Sequence, residues 1–255
     1  MSPVLANPTQ QYEKKIKEAF GRDVPAPIVD AIQKYVPPQQ FETKKMELQA
    51  ALNKIKMYRG LSDFQNSTYG DYFADAFVNA PQKLAELIEI SGGYTTDIVR
   101  IFNNPESLQS FKSKPDLFIQ NIKNIIRNPY PTEKLVVLSN GEMLSFMMKD
   151  YKGFMEFMEK IQKDHANYLP PVLNVLKNDK IAEKVVEDPE SALEKLNKIK
   201  EIAGDYAPKV FNELSQNKKM IKDFAKDPDK LIEKLNEIKN KDGIEGFKDL
   251  EKKYK

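Results

Sequence analysis

Residues with reactive side chains are scarce in this chain, which has one histidine, His165, and no cysteine. A zinc site needs several histidine, cysteine or carboxylate ligands, and one histidine without cysteines does not favour it. A serine–histidine pair would have to use His165, yet the sequence contains no Gly-x-Ser-x-Gly elbow. The sequence contains no glycine-rich phosphate loop. Its one glycine pair, Gly92-Gly93, has the form of a helix end. We therefore predict a protein that is not an enzyme, with no catalytic residue, no metal site and no cofactor.

Acidic residues are abundant, with 38 aspartates and glutamates in 255 residues. Asp188 and Asp227 each directly precede a proline, and Asn104 does the same. A short polar side chain at this position caps a helix by accepting a backbone N–H, and proline suits the first helical residue. We interpret these residues as helix caps. Catalysis by carboxylates alone is the enzymatic alternative.

A cluster of methionines and aromatic residues is the best candidate for a binding surface. Nine of them fall within residues 143–158: Met143, Phe146, Met147, Met148, Tyr151, Phe154, Met155, Phe157 and Met158. Flexible, polarizable methionines next to aromatic rings can line an adaptable groove. Met148 and Phe157 lie off the apolar faces that their neighbours define, so this Met/Phe belt is wide for a surface helix.

We assign partner binding to four members of the Met/Phe belt: Phe146, Met147, Tyr151 and Phe157. If the belt is a contact surface, at least two residues of the set formed by these four and Phe154 should be exposed in the isolated chain. Core packing is the alternative, because helical spacing normally indicates a buried face. We expect Phe154 and Met158 in the core, and Phe146 and Tyr151 at the surface.

The Met/Phe belt lies in the middle of a repeated helical pattern. Five helices are predicted to open at positions spaced 34 to 39 residues apart: Pro81, Pro115, Tyr151, Pro189 and Pro228. Apolar residues follow each opening at matching offsets, as Phe118 and Ile122 do after Pro115. Residues 168–199 align with residues 206–238, with their apolar positions in phase. A period of this size is typical of helical repeats that stack and bury a face against their neighbours.

We predict an all-α fold, in which stacked helix-turn-helix repeats form a solenoid-like array with helical caps at both ends. The predicted segments are an N-terminal helical cap at residues 1–56, five helical-pair repeats at 57–241 and a C-terminal capping helix at 242–255. A separate docking module is the alternative for the first segment. Residues 135–138, the best candidate for a strand, lie in helical phase. Residues 66–70 and 128–132 have the composition of loops, and the second loop is an inter-repeat turn or, alternatively, a hinge.

Over about residues 57–241 this pattern resembles tetratricopeptide and HEAT-type repeats, in which helices are paired with a similar period. The resemblance implies a right-handed stack of helix pairs. The tetratricopeptide signature of Trp, Leu-Gly and Tyr is missing, and the proline that follows the second helix in that family opens it here. The resemblance therefore implies an architecture, and it transfers no functional residue to this chain.

The charge pattern does not favour nucleic acid or membrane partners. The net charge is +2, and the 40 basic residues include only four arginines. Acidic and basic residues alternate closely, as in Glu194-Lys195 and Glu233-Lys234, whereas nucleic-acid binding depends on clustered positive charge. No run approaches the roughly 18 apolar residues of a membrane span, and the N-terminus lacks the regions of a signal peptide. We predict a cytoplasmic protein.

These observations favour a non-enzymatic α-helical repeat scaffold that mediates protein–protein interaction or assembly. The expected partner is another protein or a second copy of this chain. A nucleic-acid-binding helical repeat protein is one alternative, because folding could still gather lysines on one side. A structural subunit of a larger particle is the other alternative.

Overall fold

The computed structural model describes residues 7–22, 24–57 and 71–254, and its regular elements in these residues are all helices. No β-strand occurs in this described part of the chain, so the prediction of an all-α fold is confirmed. Residues 135–137 are helical, as predicted, and residue 138 lies in the turn that follows. The predicted loop at 66–70 lies outside the described residues. The loop predicted at 128–132 is shorter than expected, because a helix already begins at Pro131.

The chain forms two compact units, Met1–Leu135 and Val136–Lys255. This division reflects the density of contacts along the chain. The predicted segments 1–56, 57–241 and 242–255 divide the chain by repeat register instead, and they remain predictions.

In its described residues, the first unit contains helices α1 to α8 and most of α9. Their bounds are α1 Pro8–Phe20, α2 Ala26–Tyr35, α3 Phe41–Lys56, α4 Asp71–Asn79, α5 Pro81–Ser91, α6 Thr95–Ile101, α7 Pro105–Ser113, α8 Pro115–Arg127 and α9 Pro131–Val137. Short 3-10 turns lie at Pro38–Gln40 and Gly92–Tyr94. Helix α2 packs on α4, α3 on α5, α4 on α7, and α5 on α8. Each of these contacts joins helices that are not adjacent along the chain.

The second unit consists of the end of α9 and helices α10 to α18. Their bounds are α10 Gly141–Lys149, α11 Tyr151–Asp164, α12 Leu169–Leu176, α13 Asp179–Glu187, α14 Pro189–Ala203, α15 Ala207–Gln216, α16 Lys218–Lys226, α17 Pro228–Asp242 and α18 Leu250–Lys253. Further 3-10 segments lie at Ala166–Tyr168, Gly204–Tyr206 and Ile244–Asp249. Each helix from α10 to α14 packs on the third helix further along the chain. Helix α10 contacts α13, α11 contacts α14, and α14 contacts α17.

The predicted helix openings are confirmed. The five helices begin at the residues that the pattern selected: Pro81, Pro115, Tyr151, Pro189 and Pro228. The predicted caps are confirmed as well, because Asp188 Oδ1 accepts the Ser191 N–H at 3.0 Å and Asn104 Oδ1 accepts the Ser107 N–H at 2.8 Å. Asp227 Oδ1 accepts the Lys230 N–H at 3.3 Å.

Polar side chains join residues that are 33 to 39 positions apart in the sequence. In the second unit the bonds are Asn197 Nδ2 to Asp164 Oδ2 at 2.9 Å, Lys195 Nζ to Asp229 Oδ1 at 2.6 Å, Asn140 Nδ2 to Asp179 Oδ1 at 2.7 Å, and Tyr206 Oη to Glu245 Oε1 at 3.0 Å. In the first unit, Lys54 Nζ donates to Glu89 Oε2 at 2.9 Å. These spacings match the sequence period of 34 to 39 residues.

The last segment differs from the single helix that was predicted for it. Gly243, with a φ of 69°, ends α17, and a 3-10 helix followed by the short α18 replaces a continuous α-helix. The positive φ favours glycine and directs the chain out of the α17 axis. Of the apolar residues in this segment, Phe247, Leu250 and Tyr254 are buried, whereas Ile244 is 37% exposed.

A carboxylate fixes the end of the described chain to the helices before it. Asp223 Oδ2 accepts hydrogen bonds from Tyr254 Oη and from Lys234 Nζ, both at 2.8 Å. Because both donors favour the ionised carboxyl group, with Lys234 the larger influence, the pKa of Asp223 is lowered.

Candidate functional site

The Met/Phe belt is buried, and the expectation that at least two of its five tested members are exposed is wrong. Phe146 is 7% exposed and Phe157 is 4% exposed, while Met147 and Phe154 are fully buried. Tyr151 is half-buried. The physical reason is that α10 packs on both α11 and α13, and α11 packs on both α10 and α14, so each helix buries more than one face.

Aromatic contacts organise the interior of the belt. The ring centroids of Phe146 and Phe154 are 5.9 Å apart in an edge-to-face arrangement, and those of Phe146 and Phe157 are 6.4 Å apart. Phe154 and Met158 lie in the core, as predicted, whereas the prediction that Phe146 lies at the surface is wrong. The Tyr151 hydroxyl is buried and finds no hydrogen-bond partner among the described residues, and burial raises its pKa.

An open cleft, here called the α11–α14 cleft, lies directly beside the belt and has a volume of about 160 Å³. It is lined by residues of α11, α14 and the end of α10: Phe146, Asp150, Gly153, Glu156, Phe157, Lys160, Pro189, Glu190 and Leu193. Two of the four predicted partner-binding residues, Phe146 and Phe157, belong to its floor. The other two, Met147 and Tyr151, do not line it.

Helical spacing places the α11 side of the cleft on one face. Gly153, Glu156, Phe157 and Lys160 follow each other at intervals of three, one and three residues, which is the spacing of a single helical face. On the opposite side of the cleft, Asp188 caps α14. The cap fixes the start of this helix and with it the position of Pro189 and the residues that follow.

Gly153 opens the space at the end of the cleft. Asp150 caps α11 by accepting the Gly153 N–H at 2.9 Å. A Cβ atom at Gly153 would lie 2.3 Å from Asp150 Oδ2, so a larger residue would require the capping carboxylate to shift. Asp188 and Asp227 make the same cap to Ser191 and Lys230, so the cap itself does not require glycine, and the effect of Gly153 is to line the cleft without a side chain.

The sequence analysis missed this glycine, although a signal was present. The residue three positions after each capping aspartate is Ser191 after Asp188 and Lys230 after Asp227, but Gly153 after Asp150. Alignment of the helix openings would thus have shown that only the first of these three, at Asp150, is followed by a residue without a side chain. Apart from Leu193, the other residues missed on the cleft are charged and resemble an ordinary solvated helix face: Asp150, Glu156, Lys160 and Glu190.

The rim of the cleft carries an excess of negative charge. Its three carboxylates, Asp150, Glu156 and Glu190, are exposed and are opposed by a single lysine, Lys160. Glu156 also approaches Lys152 at 3.6 Å, but both side chains are well exposed, and such a pair contributes little. An apolar floor below an acidic rim can hold a group that is itself apolar along its length and cationic at its end.

His165, the first candidate for chemistry in the sequence, is a core side chain. It is fully buried, its Nδ1 lies 3.2 Å from Tyr168 Oη, and its ring meets Phe211 edge to face at 5.6 Å. Burial, and secondarily the positive charge of Lys200, lowers the pKa of His165 to about 4. The ring is therefore neutral near pH 7 and is closed to solvent.

Further searches of the described residues bear on metals and membranes. Histidine and acidic side chains in this part of the chain form no group of three or more that could hold a metal ion. Each helix there is too short or too polar to cross a lipid bilayer. Comparisons of the chain with protein-family models, with characterised proteins and with solved structures gave no match. Function is therefore inferred from the cleft and from the sequence pattern.

Proposed function

We propose that this chain is a non-enzymatic α-helical scaffold that binds a protein partner through the α11–α14 cleft. The observation that carries the proposal is the shape and size of this cleft. Its volume of about 160 Å³ is smaller than the roughly 300–1,000 Å³ of small-molecule sites. A space of this size suits one side chain of a protein segment, and single anchoring side chains dominate many protein interfaces.

The proposed scaffold is a stack of helical repeats. Two observations support this architecture: α10 to α14 each pack on the third helix further along, and polar bonds recur between residues 33 to 39 positions apart. Stacked repeats present long, continuous helical surfaces, which other proteins of this architecture use to bind partners. Assembly with further copies of the chain uses the same kind of surface.

The distribution of charge supports a protein partner over nucleic acid. Several lysines in both units lie within ion-pair distance of acidic groups, as in Lys83–Asp116 and Lys195–Asp229, both at 2.6 Å. Pairing of this kind gives a mixed surface, whereas phosphate binding requires free cations gathered in one place.

Site-specific photo-crosslinking in cells tests the proposal. A photoreactive amino acid replaces Lys160 at the cleft or, as a control, Asn174, which is also exposed on a helix of the second unit and does not line the cleft. We expect a discrete crosslinked product from position 160 and none from position 174. The mass of the product distinguishes a second copy of this chain, another protein and a nucleic acid.

A blocking variant makes the test specific. Leu193→Trp places a large ring in the cleft and should abolish the product from position 160, whereas Leu108→Trp, at a partly exposed leucine of the first unit, should not. Equal products from positions 160 and 174, or a product that survives Leu193→Trp, would contradict a partner-binding role of the cleft.

A further inference from the structure

We propose that the α11–α14 cleft is a receptor for an arginine side chain that the protein partner presents. This inference rests on the proposed function and names the chemistry of the group that enters the cleft. It follows from the floor, the rim and the size of the cleft, taken together.

The floor suits the long, flat side chain of arginine. Phe146 and Phe157, which are 7% and 4% exposed, line the cleft together with Leu193 and Pro189. The methylene groups of an arginine pack on such apolar surface, and its planar guanidinium group stacks on aromatic rings. A lysine ammonium is a compact, strongly hydrated charge and has no planar face to stack.

The rim supplies the charge that a guanidinium group requires. Glu156 stands on α11 and Glu190 on α14, so each wall contributes one exposed carboxylate. Glu190 makes no ion pair with any of the described residues, and Glu156 has only the exposed contact with Lys152. A guanidinium group has five N–H donors in a fixed plane and can bond to carboxylates on both sides of it.

Lys160 should affect arginine binding in the opposite direction from the two glutamates. Among the described residues it is the only cation that lines the cleft, and its charge opposes the entry of another cation. Removal of this charge should therefore strengthen arginine binding, while removal of the glutamate charges should weaken it. An apolar anchor such as leucine would respond to neither change.

The test uses the full chain labelled with ¹⁵N and titrated with three blocked amino acids at constant ionic strength. The probes are N-acetyl-arginine methylamide, its neutral isostere N-acetyl-citrulline methylamide, and N-acetyl-leucine methylamide. The amide of Gly153 lies on the cleft and bonds to Asp150, so its resonance reports occupation directly. We expect saturable shifts at Gly153 with the arginine probe and at least roughly threefold weaker binding of citrulline, which lacks the charge.

Charge variants of the cleft complete the test. The double variant Glu156→Gln/Glu190→Gln should weaken arginine binding by roughly fivefold, and Lys160→Gln should strengthen it by roughly twofold, which are ratios typical of exposed charge pairs. Lys163→Gln, at an exposed lysine of α11 that does not line the cleft, is the matched control and should change nothing. Thermal unfolding verifies that each variant remains folded.

Each outcome decides between the proposals. Saturable arginine binding that follows these charge changes supports the arginine receptor. Equal or tighter binding of leucine or citrulline at Gly153 overturns it while leaving a partner-binding cleft intact. No saturable shift at Gly153 with any probe also overturns it, and the crosslinking from position 160 then decides independently whether the cleft binds a protein.

Discussion

At the scale of single residues, His165 couples the stability of the second unit to pH. Its ring is neutral and buried, with Asp164, Lys200 and Tyr168 as the titratable groups around it. Its Nε2 and the nearby Asn197 Oδ1 are buried without hydrogen-bond partners among the described residues. A buried polar atom without a partner costs on the order of 1–3 kcal/mol. Because the ring is buried and lies near the positive charge of Lys200, the site does not favour a second positive charge on His165.

We predict that acid destabilises the protein through His165. The folded pKa of about 4 lies below the 6.5 of a free histidine side chain, so the unfolded chain binds the proton more readily. The stability that depends on the neutral ring is fully present above about pH 6.5 and is lost as the pH falls toward 4. The loss in free energy of unfolding reaches on the order of 2 kcal/mol near pH 4.5. Urea unfolding at pH 7 and pH 4.5 measures it.

The control for this prediction is His165→Gln, which removes the titrating ring and retains polar atoms. The carboxylates titrate in both proteins, so only the difference between them reports on the histidine. The stability of the variant should fall less between the two pH values than that of the original chain. Parallel pH profiles would show that His165 is not a buried neutral ring in solution.

At the scale of helices, the caps are the features most directly encoded in the sequence. Asp188 and Asp227 each accept a backbone N–H in the first turn of the helix that follows, and that helix begins with proline. We predict that Asp188→Ala or Asp227→Ala lowers the free energy of unfolding by about 1 kcal/mol, because one N–H at the helix start loses its acceptor. Chemical denaturation measures the change.

Asparagine at the same positions is the matched control, since its side-chain oxygen caps equally well. Asp188→Asn and Asp227→Asn should therefore retain most of the stability that the alanine variants lose. If the asparagine and alanine variants are equally unstable, the negative charge and its interaction with the helix dipole, and not the capping bond, stabilise these helix starts.

Helix starts could be predicted from the sequence, whereas the number of neighbours of each helix could not. A cap and a proline act within one turn, so Asp188-Pro189 specifies its helix start locally. The apolar width of the Met/Phe belt depends on contacts made far along the chain. The apolar sequence pattern around Phe146 and Phe157 is the same whether these residues contact a partner or another helix of the same chain. In this structure, contacts with α10, α13 and α14 bury the two side chains.

The cleft residues were hard to predict for a related reason. Glu156 and Glu190 are 34 positions apart, and their common location depends on the packing of α11 against α14. Each carboxylate alone is typical of a solvated helix face. The roles of Asp150, Gly153 and Pro189 at the helix starts are local, and comparison of the helix openings can identify them.

At the scale of the whole molecule, the two compact units each have an apolar core. In the second unit the fully buried side chains come from helices along its entire length: Met147, Phe154, Leu196, Phe211 and Phe224. We predict that a fragment of residues 128–255, which retains α9 intact, folds by itself and unfolds cooperatively. Thermal melting followed by far-ultraviolet circular dichroism measures this.

A fragment of equal length, residues 71–198, is the control because it contains parts of both units. It lacks the helices on which α12, α13 and α14 pack, namely α15, α16 and α17. We expect its melting to be broad. If both fragments melt in similarly sharp transitions, the chain does not divide at residue 135 into separate cooperative folding units.

The first turns of α11 and α14 differ at one small residue beside the proposed cleft. The position that opens the cleft is Gly153, and Ser191 is its equivalent in α14, which packs on α17 as α11 packs on α14. Substituting one small residue therefore alters the surface of one copy and leaves the apolar positions of the others unchanged. If the α11–α14 cleft binds a partner as we propose, the equivalent surface between α14 and α17 is a place where a similar site could be designed.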